Sequence, residues 1–336
     1  MAAAEPFGSL YSHGFARVAA TVPHARVADP RFNVERTLAL ARRASDAGAA
    51  LVIAPELGLS AYAIDDLLHQ QALLRGVLRA IERIVADSVA LRPVIVVGAP
   101  LEAEGGLFNA AVVIHRGRVL GVVPKSYLPE YREYYEKRQF RAARDLVGDT
   151  IRLLDDDVPF GARLRFAARD LPAFVLGVEI CEDLWVPIPP SSYAALAGAT
   201  VLVNLSASNI TIGKADYRRL LCASHSARAV AGYLFTTAGL GESTTDLAWD
   251  GQALIYENGD LLAEAERFGE AEQLILADID LDRIVSDRAS TSSYGDCIHD
   301  HRRRLTHRRM IEFEFDPPRE PIALKRSASA RWSPFS

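Results

Sequence analysis

The chain has 336 residues, with 38 Lys and Arg against 43 Asp and Glu, for a formal net charge of −5. A composition of 49% hydrophobic and 24% charged residues is that of an ordinary globular protein with one large domain or two. It argues against intrinsic disorder and bulk nucleic-acid binding. No apolar run approaches the ~18 residues that cross a bilayer, and the opening MAAAEPFGSLYSHGF lacks the basic-then-apolar order of a signal peptide. Neither membrane nor nucleic acid is expected as a partner.

In chain order, 15–22 predicts a strand and 30–47 a helix, with Leu38, Leu40 and Ala41 opposite its charges and Gly48 as a stop. A strand at 50–54, a helix over 64–90 and strands at 93–97 and 109–115 follow. AAVVIHRGRVLGVV reads as a hairpin turning at Arg116-Gly117. Further strands are expected at 174–180, 200–205 and 233–237, with a helix at 214–231 before the last. QALIYENGDLLAEA reads as a second hairpin, turning at Asn258-Gly259. Continuous runs such as VIVV and VLVNL suit strands covered on both faces, so the class is mixed α/β. From Arg302 the texture turns basic, then Pro-rich, then Ser-rich, which reads as an extended tail contributing little core.

The three cysteines, Cys181, Cys222 and Cys297, are too few and too scattered for a disulfide framework. No Cys/His spacing suits zinc, so no metal is expected, and a reducing cytoplasm is. Cys222 falls in a helical pattern and Cys297 in a loop, neither with a base at hand.

Three strand ends carry chemistry-bearing residues. Glu56 follows VIAP, Lys125 follows VVP, and Cys181 ends FVLGVEI before Glu182 and Asp183. Taken singly, Glu56 and Lys125 read best as solvated strand-end charges. Cys181 is harder to dismiss as a core thiol, because the strand gives way to charge there. Together they form a set: a carboxylate to take the thiol proton, an ammonium to stabilise thiolate and oxyanion, and backbone N–H groups after the cysteine. The cluster Tyr127, Tyr131, Tyr134 and Tyr135 reads as packing. GESTTDLAWDG suits either an active-site loop or an interface loop, and HDHRRRLTHRR, from His299 to Arg309, a solvated helix end or partner-facing patch.

At these residues the sequence resembles the nitrilase (carbon–nitrogen hydrolase) superfamily, in particular the glutaminase domain of bacterial glutamine-dependent NAD⁺ synthetases. PELGLSAYAIDDLL, NAAVVIHRGRVLGVVPKSYLPEYREYYEKRQF, VEICEDLWVPIPPS, GATVLVNLSASNITIGKADYRRLL and GESTTDLAWDGQALIYENGDLLAE carry the resemblance. It implies a four-layer α-β-β-α sandwich and hydrolysis of the glutamine side-chain amide. It also implies roles: Glu56 as general base, Lys125 as oxyanion holder, Cys181 as nucleophile, and Glu136 as the second glutamate beside the lysine. Tyr62, Tyr131, Glu182, Ser208 and Lys214 match positions that hold glutamine, Lys214 standing where relatives often carry arginine.

Those synthetases continue into an ATP-pyrophosphatase domain with an SGGxDS phosphate loop, a motif not found here. The expected organisation is a hydrolase domain over 1–316 and a tail or linker over 317–336. ATP and Mg²⁺ would belong to the synthetase module, in cis or in trans, and the glutaminase domain would need no cofactor. A homo-oligomer is expected. The rival readings are a stand-alone amidase or nitrilase and a catalytically silent partner subunit. Glu182 beside the nucleophile suits an α-amino group and disfavours the first. A complete Glu56–Lys125–Cys181 set disfavours the second.

Overall fold

The structure, a computed structural model, describes residues 8–325. Its first half contains β1 (Phe15–Val22), α1 (Pro30–Asp46), β2 (Leu51–Ile53), α2 (Gln71–Ser88), β3 (Val94–Ala103), β4 (Gly106–His115) and β5 (Arg118–Pro124). A small hairpin of β6 (Thr150–Leu153) and β7 (Asp156–Pro159) leads into β8 (Leu164–Ala168), β9 (Val175–Ile180), α3 (Pro190–Leu196) and β10 (Val201–Ser206). Then come α4 (Lys214–Ala229), β11 (Gly232–Thr237), β12 (Ala253–Glu257), β13 (Asp260–Glu264) and β14 (Gln273–Asp280). The chain continues through α5 (Leu281–Ser290), α6 (Ser292–Leu305) and β15 (Arg309–Phe313).

The strands form one sheet in the order β14-β1-β2-β3-β4-β5 and another in the order β13-β12-β11-β10-β9-β8-β15. Strand alternation shows how they stack. β1 sends Ala16, Val18, Ala20 and Val22 into the core between the sheets and Ala19 to its helix-covered face. β10 does the same with Val201, Val203 and Leu205 inward and Leu202 outward. Val34, Leu38 and Ala41 of α1 and Val77, Ile81 and Ile84 of α2 cover the first sheet. Ala194 and Ala195 of α3 and Cys222 of α4 cover the second. The result is the four-layer α-β-β-α sandwich. Each fully buried Val, Leu or Ile contributes about 1.5–3 kcal/mol, which is why the central strands are apolar at most positions on both faces.

Local signals set the element ends. Asp29 accepts the Phe32 N–H at 3.0 Å and Pro30 opens α1. Both hairpins turn on two residues with positive φ, +42° and +79° at Arg116-Gly117 and +49° and +92° at Asn258-Gly259, as type I′ loops require.

The expected helix over 64–90 is divided. Asp65–His69 is a 3-10 turn, Gln70 is extended, and α2 starts at Gln71. Leu68 packs with Leu57, Ile64 and Phe140, whereas Val77 and Ile81 pack on the sheet, so one apolar pattern serves two packing sites. The basic and Pro-rich end also departs from expectation. α6 runs to Leu305, β15 pairs in parallel with β8, and Phe313 and Phe315 are 4% and 1% exposed in the inter-sheet core. Beyond it, Ile322 bridges to Ser9, and the buried pair Arg17–Asp278 is completed by the Ala323 carbonyl. Residues 326–336 of the expected linker lie outside the described residues. Cys297 lies on α6 and is exposed, not in a loop. No helix among the described residues is long and apolar enough to cross a membrane.

Candidate active site

Glu56 lies three residues beyond β2, Lys125 directly after β5, and Cys181 directly after β9. The first two strands belong to one sheet and the third to the other, so the site forms where the ends of the two sheets meet. Two contacts draw them together. The Glu56 N–H donates to the Ser206 carbonyl at 3.2 Å, and the Ala207 N–H donates to Glu56 Oε2 at 2.7 Å. Gly98 on β3 makes room: a Cβ there would stand 2.3 Å from the Leu57 nitrogen and 2.7 Å from the Pro55 oxygen.

Lys125 is fully buried, and its Nζ donates to Glu56 Oε1 and to Glu136 Oε1, both at 2.6 Å. Burial alone would lower the ammonium pKa. The fields of Glu136 and Glu56 overcome it and hold the pKa well above the lysine range. Asn109 Nδ2 donates to Glu56 Oε1 at 2.6 Å, and the Tyr62 hydroxyl donates to Glu136 Oε1 at 2.7 Å. Burial lifts the Glu136 carboxyl to about 7, against the pull of Lys125. Its Oε2 is buried with no hydrogen-bond partner in the protein.

Cys181 opens a 3-10 turn, Cys181–Leu184, with a φ of +44°. A non-glycine residue there is strained, of order 1–3 kcal/mol, and surrounding bonds must hold it. Asn204 supplies two, accepting from the Cys181 N–H at 3.1 Å and donating to its carbonyl at 3.3 Å. Asp183 accepts the N–H groups of Ile180 at 3.0 Å, Ser126 at 3.2 Å and Tyr127 at 2.9 Å, tying the cysteine turn to the chain leaving Lys125. Burial and then Glu179 push the Asp183 carboxyl up to about 8, against those donors. Burial, then the charge of Glu56, pushes the Cys181 thiol well above its ordinary value, with Lys125 opposing. Both influences favour the neutral thiol over the thiolate.

The residues assigned to substrate by resemblance divide into two groups. Tyr131 lies half-exposed at the mouth, its hydroxyl 2.9 Å from both Glu182 oxygens. Lys214 Nζ reaches Asn209 Oδ1 and lies over the rings of Trp185 and Tyr134, at 5.2 and 5.5 Å. Burial lowers the Lys214 pKa, and Cys181, Glu133 and Glu182 raise it, which places the ammonium in the field of the site. Tyr62 stands behind, on Glu136, and Ser208 is buried, its Oγ accepting from Arg218 Nε at 3.1 Å. Arg218 is in turn fixed by Asp250 at 2.8 Å.

The tyrosine cluster meets the packing expectation only in part: Tyr134 packs with Leu247 and Trp249 and bonds Asn209 Oδ1 at 2.7 Å, whereas Tyr127, Tyr131 and Tyr135 are exposed. GESTTDLAWDG lies against the site: Glu242 accepts from the Tyr62 N–H at 2.9 Å, and Trp249 packs on the Tyr62 ring at 5.7 Å. Asn109, Asp183, Asn204 and Glu242 were not singled out in sequence. The available signal for Asn204 was an amide interrupting the apolar run VLVNL, and for Asp183 its place two residues beyond the cysteine.

Residues 17–289 match the family described as Carbon-nitrogen hydrolase. The chain is 54% identical over 320 residues to the glutamine-dependent NAD(+) synthetase of Mycobacterium tuberculosis, covering 95% of this chain and 47% of that protein. It is 52% identical to the Mycobacterium leprae enzyme over the same shares. It thus spans about half the length of the curated relatives it matches. Among solved structures, the glutamine-dependent NAD(+) synthetase of Cytophaga hutchinsonii superposes with a TM-score of 0.70 at 26% identity, over 79% of this chain and 43% of that one. An amidase of Nesterenkonia superposes with a TM-score of 0.65 at 21% identity, over 85% and 97%, a likeness of fold. A family match over most of the chain, and relatives above half identity along nearly all of it, place the protein in the carbon–nitrogen hydrolase family.

Proposed function

We propose that this chain is the glutamine-hydrolysing part of a glutamine-dependent NAD⁺ synthetase, releasing ammonia for the amidation of deamido-NAD⁺. The supporting observation is a buried Lys125 between Glu56 and Glu136, beside the Cys181 thiol, with a carboxylate, Glu182, and an ammonium, Lys214, at the mouth. A substrate with a free α-amino and a free α-carboxylate group satisfies both mouth charges. A simple amide or nitrile satisfies neither.

In this reading Glu56 takes the Cys181 proton as Sγ attacks the amide carbon, because burial disfavours a resting thiolate. Two N–H groups of Lys125 are spent on the carboxylates, and the third holds the oxyanion with the backbone N–H after Cys181. The tetrahedral species collapses as Glu56 passes the proton to the departing nitrogen, giving ammonia and a thioester. Glu56 then deprotonates a water that attacks the thioester. Collapse returns the proton to sulfur and releases glutamate.

The glutaminase step needs no cofactor in this proposal. ATP and Mg²⁺ serve the synthetase module, with which a homo-oligomer of this chain assembles in the cytoplasm. The test is glutamine turnover by the chain alone and with the synthetase module, ATP and deamido-NAD⁺. Low turnover alone, raised by the loaded module, is expected. A chain fully active alone, unresponsive to the module and broad toward simple amides is a stand-alone amidase and overturns the reading.

A further inference from the structure

β8 sends Leu164, Phe166 and Ala168 into the inter-sheet core. By alternation Arg165, and Arg163 before the strand, turn to the helix-covered face. β15 pairs in parallel with β8, Met310 standing beside Arg165, and the Arg309 N–H bonds the Arg163 carbonyl at 3.1 Å. Arg308, just before β15, donates to the Pro190 carbonyl at 3.1 Å, and Arg165 donates to the Ala197 carbonyl at the end of α3. The Tyr193 ring of α3 carries the guanidiniums of Arg304 and Arg308 at 5.2 and 6.0 Å, with His301 at its edge.

Among the described residues, Arg163, Arg165, Arg304 and Arg308 form no ion pair; neighbouring Arg309 takes Asp149 at 3.6 Å. Burial, then the fields of Arg165 and Arg163, lower the Arg308 pKa to about 10. Arg165 Nε and Arg308 Nε are both buried without a hydrogen-bond partner. The mutual repulsion of partly buried Arg165 and Arg308 and exposed Arg163 is thus uncompensated by a counter-ion from the described residues.

We propose that this face, formed by β8, β15, α3 and the end of α6, binds a phosphoryl-bearing anion among Arg163, Arg165 and Arg308. A monoanion neutralises one of three charges. A phosphate or polyphosphate carries two or more and matches the guanidinium fork with paired oxygens. Among the described residues none of these arginines bonds Glu56, Lys125 or Cys181, and the proposal does not depend on the glutaminase reading.

The test is calorimetric titration of the chain with inorganic pyrophosphate, in sodium chloride matched for ionic strength. Saturable binding is expected, weakened at least about tenfold in Arg163→Ala and in Arg308→Gln. Arg163 is exposed, so its variant keeps a cooperative melt and a wild-type or higher Tm without ligand. It decides the matter if Arg308→Gln fails to fold. Adenosine diphosphate binding equal to pyrophosphate assigns the site to polyphosphate alone, and tighter binding assigns it to a nucleotide. Absence of saturable binding, or affinity unchanged in both variants, overturns the proposal. So does loss of association with a synthetase module in these variants while pyrophosphate binds neither them nor the parent, an outcome that makes the face a protein-docking surface.

Discussion

Asn204 holds Cys181 at both ends of its backbone, Oδ1 accepting from the Cys181 N–H at 3.1 Å and Nδ2 donating to its carbonyl at 3.3 Å. Ser206 Oγ donates to the same Oδ1 at 2.7 Å, fixing which way the amide faces. The pair offsets the strain of a cysteine held at φ +44°. Asn204→Ala is expected to lose roughly 1–3 kcal/mol of stability and to lower kcat more than it raises KM, since a misaimed thiol hurts the reacting geometry most. Urea denaturation and steady-state kinetics measure both. Unchanged stability would show that the two bonds carry nothing.

Cys181→Ala should abolish glutamine turnover while leaving the fold intact. A glutamine-like diazo-ketone should label the parent at Cys181, not at buried Cys222 or exposed Cys297. Peptide mass spectrometry reads the site, and a label elsewhere, or a variant with near-normal turnover, removes the nucleophile assignment.

Lys125→Met should cost far more in kcat than in KM, because the oxyanion exists only near the transition state. It should also destabilise the protein by roughly 3 kcal/mol at neutral pH, since it leaves Glu56 and Glu136 buried without their counter-ion. Under the proposed role, in which Glu182 holds the substrate's α-amino group before reaction, Glu182→Ala should instead raise KM. A Lys125→Met enzyme altered chiefly in KM would contradict the role.

Burial lifts the Glu136 carboxyl from the ordinary 4.5 to about 7. Between these values the native protein keeps a proton that the unfolded chain has released, so this group's contribution to stability falls as pH rises through that window. Glu136→Gln removes the titration, and its pH–stability curve should be flatter over the same window. Thermal melts at a series of pH values make the comparison, and parallel curves would mean that Glu136 titrates normally.

Phe313 and Phe315 close the inter-sheet core from the chain's basic and Pro-rich end. Phe313→Ala and Phe315→Ala should each lose about 3–5 kcal/mol, and a chain ending before β15 should fail to melt cooperatively. Losses under about 1 kcal/mol, the range of surface changes, would restore the view of this segment as a tail.

The sequence by itself determined the central elements and the order of the chemistry along the chain. β1, β9, β10 and β11 are mostly apolar rather than alternating because both faces are covered, and the two hairpins are legible because a two-residue turn demands positive φ. Glu56, Lys125 and Cys181 stand out because each puts a reactive group where such a run stops. Tertiary structure decided what happens between segments. Asn109, Asp183, Asn204 and Glu242 act through partners 23 to 180 residues distant in most of their bonds, and no local pattern marks a side chain whose role is to satisfy a distant backbone group. β15 was hidden for a related reason. An edge strand in parallel pairing with β8 turns only Ile311 and Phe313 to the core, with Phe315 just beyond it, so the alternate positions are free to be charged. Whether a basic run is a solvated end or a sheet edge depends on which strand it meets, and that contact exists only in the folded chain.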